Sequence, residues 1–261
     1  NRLSLYSTIT VLFLLLVIIA DSKSAYAGRK IRILVYPFQN TGDTGFQWLS
    51  AGMTDSIISE LGRISAVQVI SDEDRKKAMH ETSKVMTGFP DKKTSKNIGT
   101  LTGADVIFTG SYSVTDAGVN IIVKLIKVKS GSLIKSINLD STIEGLFDLQ
   151  NKTVFSLIEE SQKLKLADIE PPVITYEEKK QIEDGVKPVI TAYELYARGL
   201  MLLDTDPNGA LDLFKQAVKT DSSYVEALIK AGYTSDNMLN LFSEALEYLD
   251  RADTVLKQRE E

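Results

Sequence analysis

Two hydrophobic periods share this chain, and where they change marks its elements. Residues 30–38 (KIRILVYPF) are β-rich and almost continuously apolar, the pattern of a strand covered on both faces, with Pro37 limiting its far end. A turn cluster, NTGDTG, occupies 40–45. Trp48, Leu49, Met53, Ile57 and Leu61 then recur at three- and four-residue steps, which predicts a helix closed by Gly62. A short strand is expected at 67–70. Ser71 with Asp74 resembles a helix-start box, and a charged helix runs to about 81. Residues 87–95 read as loop and 97–101 as a short helix. Strands follow at 106–112, 119–128 and 133–140, separated by Asp116-Ala117-Gly118 and KSGS turns, a series that predicts antiparallel pairing. A helix over 143–166 closes this half.

Residues 167–188 change character. Pro171, Pro172, Pro188 and a charged stretch at 177–180 read as a linker holding at most a helical turn. From 189 the period is helical throughout. The expected architecture is therefore an α/β domain at 28–166, a mixed sheet with packed helices, joined by 167–188 to an all-α domain at 189–261.

The first 27 residues stand apart. Arg2 precedes an apolar run at 9–20, and Ala25-Tyr26-Ala27 has the small-x-small form of a signal-peptidase site. Twelve helical residues reach about 18 Å, short of a bilayer core of about 30 Å. The expectation is a cleaved secretory signal, with an uncleaved anchor over 3–20 as the alternative.

Composition narrows the chemistry. The 261 residues carry a net charge of −5, which does not suit a nucleic-acid binder. There is no cysteine, hence no disulfide, thiolate nucleophile or lipid-modified cysteine, and His80 is the one histidine. No phosphate loop, dinucleotide fingerprint or metal-ligand spacing appears. Asp43-Thr44-Gly45 spells the aspartic-protease triplet, but that reaction needs two carboxylates and no second triplet exists. The expectation is no catalytic residue, no metal and no cofactor.

Three segments in order resemble the amino-terminal domain of TolB and its relatives: RILVYPFQNTG at 32–42, LSAGMTDSI at 49–57 and GADVIFTGS at 103–111. IEGLFDLQNKTV at 143–154 is similar to the helix that closes the TolB-like version. The curli-secretion CsgG, flagellar FlgO and penicillin-binding-protein activator LpoB groups are near alternatives. The resemblance implies a mixed sheet with packed helices, protein contacts in the bacterial envelope, and no catalytic residues. Pro37, Gly52 and Gly110 are read as backbone-geometry positions.

The second half repeats itself. Gly199 and Gly232 stand 33 residues apart, while Ala210, Phe214 and Ala217 map onto Ala245, Leu249 and Ala252 at a spacing of 35. A mean near 34 resembles the tetratricopeptide period. Small residues at Gly199, Ala210 and Ala217 let paired helices approach, and Phe214 fills the space between them. About three such repeats are normally needed for stability, so the visible pair implies further repeats, docking on the first domain, or pairing of two chains. The surface expected to bind a partner carries Tyr193, Tyr196, Leu203, Ile229 and Tyr233, with packing against the first domain as the competing use of the same residues.

These readings converge on an exported, periplasmic, non-enzymatic scaffold or adaptor of the cell envelope, binding an envelope protein or peptide and able to form homo-oligomers. It would touch a membrane only through an uncleaved signal anchor. The alternative is an outer-membrane assembly or secretion component of the CsgG or FlgO kind, which would need long amphipathic strands. Outside residues 119–128 the strands read as short.

Overall fold

A computed structural model describes residues 29–83, 91–164, 166 and 169–260. The signal-like segment and residues 84–90, which include the first part of the expected loop, lie outside the described residues. The chain is mixed α/β. Strands β1 (Ile31–Val35), β2 (Gln39–Asn40), β3 (Val67–Val69), β4 (Val106–Thr115), β5 (Gly118–Lys127) and β6 (Ser132–Ser141) form one sheet in the order β3-β1-β4-β5-β6. β1 runs parallel to β3 and β4, β2 pairs with β4 alone, and β4, β5 and β6 are successively antiparallel.

One sheet face packs on helices α1 (Trp48–Gly62) and α4 (Leu146–Gln162), burying Ile33, Val35, Phe108, Ile121 and Val123 against Leu49, Met53, Ile57 and Leu157. The other face packs on α2 (Asp72–Ser83) and α3 (Lys92–Thr102), where Leu34, Ile107 and Ile126 meet Ala78 and Ile98. Burial on both faces explains why β1 is a continuous apolar run instead of an alternating one. The segment containing Asp105 ties two strands together. Its carboxylate accepts from Arg32 N at 2.9 Å and from both terminal nitrogens of Arg29 at 2.7 Å.

Four sequence expectations change. β4 runs to Thr115 instead of stopping at Tyr112, because its pairing with β5 continues up to the turn at Gly118, whose φ of 127° suits glycine. With β4, β5 and β6 at ten residues each, these three strands are not short. Residues 91–95 are not loop: Asp91 accepts from Thr94 N at 2.7 Å and starts α3 five residues earlier than expected. The stretch at 167–188 contains a full helix, α5 (Tyr176–Glu183), whose start is a reciprocal capping box between Thr175 and Glu178.

Glu178 does more than cap. Its carboxylate accepts from Thr175 N at 2.8 Å and from Ser65 N at 2.7 Å, pinning α5 to the end of α1. Burial opposes its charge, but these hydrogen bonds outweigh that effect and hold its pKa down at about 2. Glu178→Ala should therefore cost about 1 kcal/mol in urea denaturation at pH 7. A lowered folded pKa contributes stability above the ordinary carboxylate range and loses it as pH falls through about 2, so the two proteins should converge there.

The remaining helices are two antiparallel hairpins, α6 (Ile190–Leu202) with α7 (Pro207–Thr220), and α8 (Val225–Tyr233) with α9 (Phe242–Glu260). Asp206 caps α7 by accepting from Gly209 N at 3.0 Å, with Pro207 in its first turn. In the second hairpin Gly232 and Ala245 are thirteen residues apart, against eleven for Gly199 and Ala210. A π-turn over Thr234–Met238 and a left-handed Asn240 (φ 58°) absorb the extra two.

Candidate functional site

The small residues singled out in the second half lie where the helices of each hairpin meet. A Cβ added to Gly199 would lie 2.5 Å from the Phe214 ring, and one on Gly232 would lie 2.9 Å from Leu249 and 3.3 Å from the Ala245 carbonyl. Ala210, Phe214 and Ala217 are fully buried, and Ala245 and Ala252 are 3% exposed. Leu249 differs: it touches Gly232 but remains 42% exposed.

The five residues expected on a binding surface separate into two groups. Ile229 and Tyr233, one turn apart on α8, are 42% and 49% exposed, and Leu203 is half-buried. Tyr193 and Tyr196 are each 1% exposed and correct the expectation of a free face. The cause is α1. It packs across α6 with Gly52 at the crossing, where a Cβ would stand 2.9 Å from the Tyr193 ring and 3.0 Å from Ala197 Cβ. Helix α1 itself occupies the face that α6 would otherwise present.

This junction is specific as well as apolar. The Tyr193 ring meets Trp48 and Phe147 edge-on, with centroids 5.9 and 5.0 Å away. Its hydroxyl accepts from Gln150 Nε2 at 2.8 Å and lies 3.1 Å from Ser56 Oγ. Tyr196 donates to Asp55 Oδ2 at 2.5 Å, while its ring packs between Phe214 and Tyr224. Lys230 of α8 holds the other Asp55 oxygen at 3.2 Å. Burial raises the pKa of both tyrosines, and the Asp55 charge adds to the effect at Tyr196. They are neutral hydrogen-bonding groups, not nucleophiles. Asp55, Ser56 and Gln150, which make these bonds, carry no periodic or motif signal of chemistry in the sequence.

Beside the tyrosines lies a cleft of about 480 Å³ between the sheet domain and the hairpins, lined by Asp55, Glu60, Arg63, Gln150, Glu226 and Arg259 among others. Arg63 stands between two acids, with Nε 3.2 Å from Glu60 and a terminal nitrogen 3.9 Å from Glu226. Glu60 Oε2 is buried with no hydrogen bond of good geometry. Burial pushes the Glu60 pKa up to about 7; Arg63 opposes the rise and Glu226 adds to it. Asp43 turns out to be turn chemistry: its side chain accepts from Gly45 N at 2.8 Å and caps a 3-10 turn. His80 is exposed on α2. Among the described residues no group of three or more acidic or histidine side chains is placed to hold a metal ion. No described helix is long and apolar enough to cross a membrane.

No family model matches the chain, and no curated protein matches it. Solved structures do. The chain is similar to the LpoB C-terminal domain from Salmonella enterica at 15% identity and a TM-score of 0.36, covering 45% of this chain and 87% of that one. Lipoprotein GNA1162 from Neisseria meningitidis aligns at 18% identity and 0.34, over 50% and 97% of the two chains. TolB from Acinetobacter baumannii aligns at 12% identity and 0.36, over 52% of this chain and 29% of that protein.

Proposed function

We propose that this chain is an exported, periplasmic scaffold of the cell envelope. In this reading a TolB amino-terminal-like domain holds two tetratricopeptide-type repeats in a fixed orientation, and the repeats offer a surface to a protein partner. The observation that supports it is the α1–α6 crossing. Gly52, Tyr193 and Tyr196 pack the two halves closely at that point, and Ile229 and Tyr233 stay exposed on the neighbouring first helix. The buried polar groups of the junction are consumed in positioning helices. Aromatic and branched apolar side chains beside one another on a rigid helix are the usual anchors of a protein contact.

The strand lengths give a secretion component more room than the sequence suggests, yet the burial pattern favours the scaffold. β5 turns Val119, Ile121, Val123 and Leu125 inward to the core it shares with α4, while its other side carries half-buried Asn120 and Lys124, an exposed Ile122 and, under α3, a buried Ile126. An apolar face already covered by helices has nothing left to turn toward lipid.

The test is affinity capture from envelope extract with the exported protein, compared with Ile229→Glu and Tyr233→Ala. The expected result is a soluble partner whose recovery falls at least about tenfold in either variant, with circular dichroism and melting unchanged. Detergent-dependent, ring-shaped oligomers would overturn the scaffold. Mass measurement of the exported form should show cleavage after Ala27.

A further inference from the structure

Lysines gather around the turn between β5 and β6. Lys127 ends β5, Lys129 lies in the turn and Lys135 is the fourth residue of β6. The start of α3 adds Lys92, Lys93 and Lys96, and it stands against the turn: a Cβ on Gly131 would lie 2.6 Å from Lys92 Cα and from its carbonyl oxygen. Lys127 is half-buried and the other five are exposed. Among the described residues none of these lysines holds an ion pair, whereas Lys76, Lys77, Lys163 and Lys257 each do. Two acids of this region are already engaged. Asp91 caps α3 through Thr94 N, and the Asp105 carboxylate is held by Arg29 and by Arg32 N.

The arrangement works against the fold. Lys92 and Lys93 occupy a first helical turn that contains no acid, where the backbone dipole disfavours a cation, and Lys92 and Lys96 are like charges four residues apart. α2 shows the ordinary choice, with Asp72, Glu73 and Asp74 in its first turn. Cations kept where the helix disfavours them point to a task outside the fold.

The occupant follows from position and chemistry. β4 and β5 run about 33 Å from this tip to a turn carrying Asp116, with Asp140 of β6 at the same far end, so the three strands have a basic end and an acidic end. The chain enters the sheet at the basic end. Arg29 holds the Asp105 carboxylate, and Val128 N donates to the Asp105 carbonyl at 3.0 Å, one residue before Lys129. The apolar run at 9–20 precedes Arg29 by nine residues. All six cations are lysines, mobile point charges suited to a diffuse anionic surface; none is arginine, whose fork reads a single carboxylate or phosphate. Leu133, 55% exposed beside the turn, suits the boundary between headgroups and acyl chains.

We propose that the β5–β6 tip and the start of α3 dock on an anionic lipid bilayer, a membrane contact that needs no anchor. The exported protein is floated with vesicles of phosphatidylcholine alone, or of equal parts phosphatidylcholine and phosphatidylglycerol, and partition is read as the ratio between the two. The anionic vesicles should be favoured at least about tenfold, and added salt should erase the preference. Lys92→Gln with Lys93→Gln, and separately Lys129→Gln with Lys135→Gln, should lower the ratio about fivefold per lysine removed. Lys152→Gln with Lys219→Gln, the same charge change elsewhere, should leave it within about twofold. The first pair should melt no lower than the parent, because it removes cations from a helix start. Equal partition onto both vesicles, or a control pair that lowers the ratio as far as the tip pairs do, overturns the proposal. So does a soluble acidic protein from envelope extract that the tip variants lose while their vesicle binding matches the parent's. Ile229 and Tyr233 play no part in this contact, so its failure would leave the partner-capture result standing.

Discussion

Gly52→Val should uncouple the two halves of the protein. The glycine lies mid-helix on α1 with helical geometry, so its backbone needs no special freedom; what it supplies is space. Even a methyl group there would meet the Tyr193 ring at 2.9 Å and Ala197 Cβ at 3.0 Å. Tyr193 cannot yield cheaply, because its ring is held by Trp48 and Phe147 and its hydroxyl by Gln150 and Ser56. Valine adds two more methyl groups to a closed crossing. Overpacking of this kind costs about 1–3 kcal/mol when neighbours can shift, and more when they cannot, so a loss of about 3–4 kcal/mol is expected. If α6 lifts off to relieve it, Tyr193, Tyr196, Ala192 and Ala197 lose their cover together. Urea denaturation followed by helix signal and by Trp48 fluorescence should then separate into two transitions where the parent shows one. A single transition with an unchanged midpoint would mean that the halves are joined by something other than this crossing.

That crossing also marks where sequence reasoning stopped. The spacing of small residues pairs Gly199 with Ala210 and Gly232 with Ala245, because close helix approach demands small residues whatever surrounds them; the side chain that Gly199 makes room for is Phe214, and Gly232 lies against Leu249 and the Ala245 carbonyl. It could not decide what covers Tyr193 and Tyr196. Aromatic residues on a first helix look the same in sequence whether a partner or the chain's own α1 packs on them. The deciding residue, Gly52, sits in a segment whose glycine reads as a backbone requirement. The capping pair Thr175 and Glu178 went unread, because the prolines around it make the stretch look like a linker. The unequal spacings of 33 and 35 were the visible trace of the π-turn. Strand ends were lost for a different reason: a strand continues while its neighbour pairs with it, and β4 is carried to Thr115 by β5, not by its own residues.

The second large effect is in pH. Glu60 on α1 lines the cleft with Arg63 just past the helix end, Asp55 of α1, Tyr196 of α6 and Glu226 of α8, and the charges that act on it are those of Arg63 and Glu226. Burial raises its folded pKa from 4.5 to about 7, so the folded protein holds a proton there that the unfolded chain releases. A raised folded pKa makes stability fall as pH rises between those two values, because the folded state binds more protons across that interval. A full shift of this size corresponds to about 3 kcal/mol, and the 21% of the side chain still open to solvent reduces it, leaving on the order of 1–3 kcal/mol. Glu60→Gln removes the ionisation and keeps the shape. The variant should lie nearest the parent at pH 5, pull ahead as pH rises, lead by close to that amount at pH 8, and show a flatter profile between. Urea midpoints in a series of buffers from pH 5 to pH 8 measure this directly, and parallel profiles for the two proteins would sink it. The sign carries a structural consequence. Acidification discharges one of the two carboxylates sharing Arg63, so the second hairpin should hold the sheet domain more tightly at pH 5 than at pH 8.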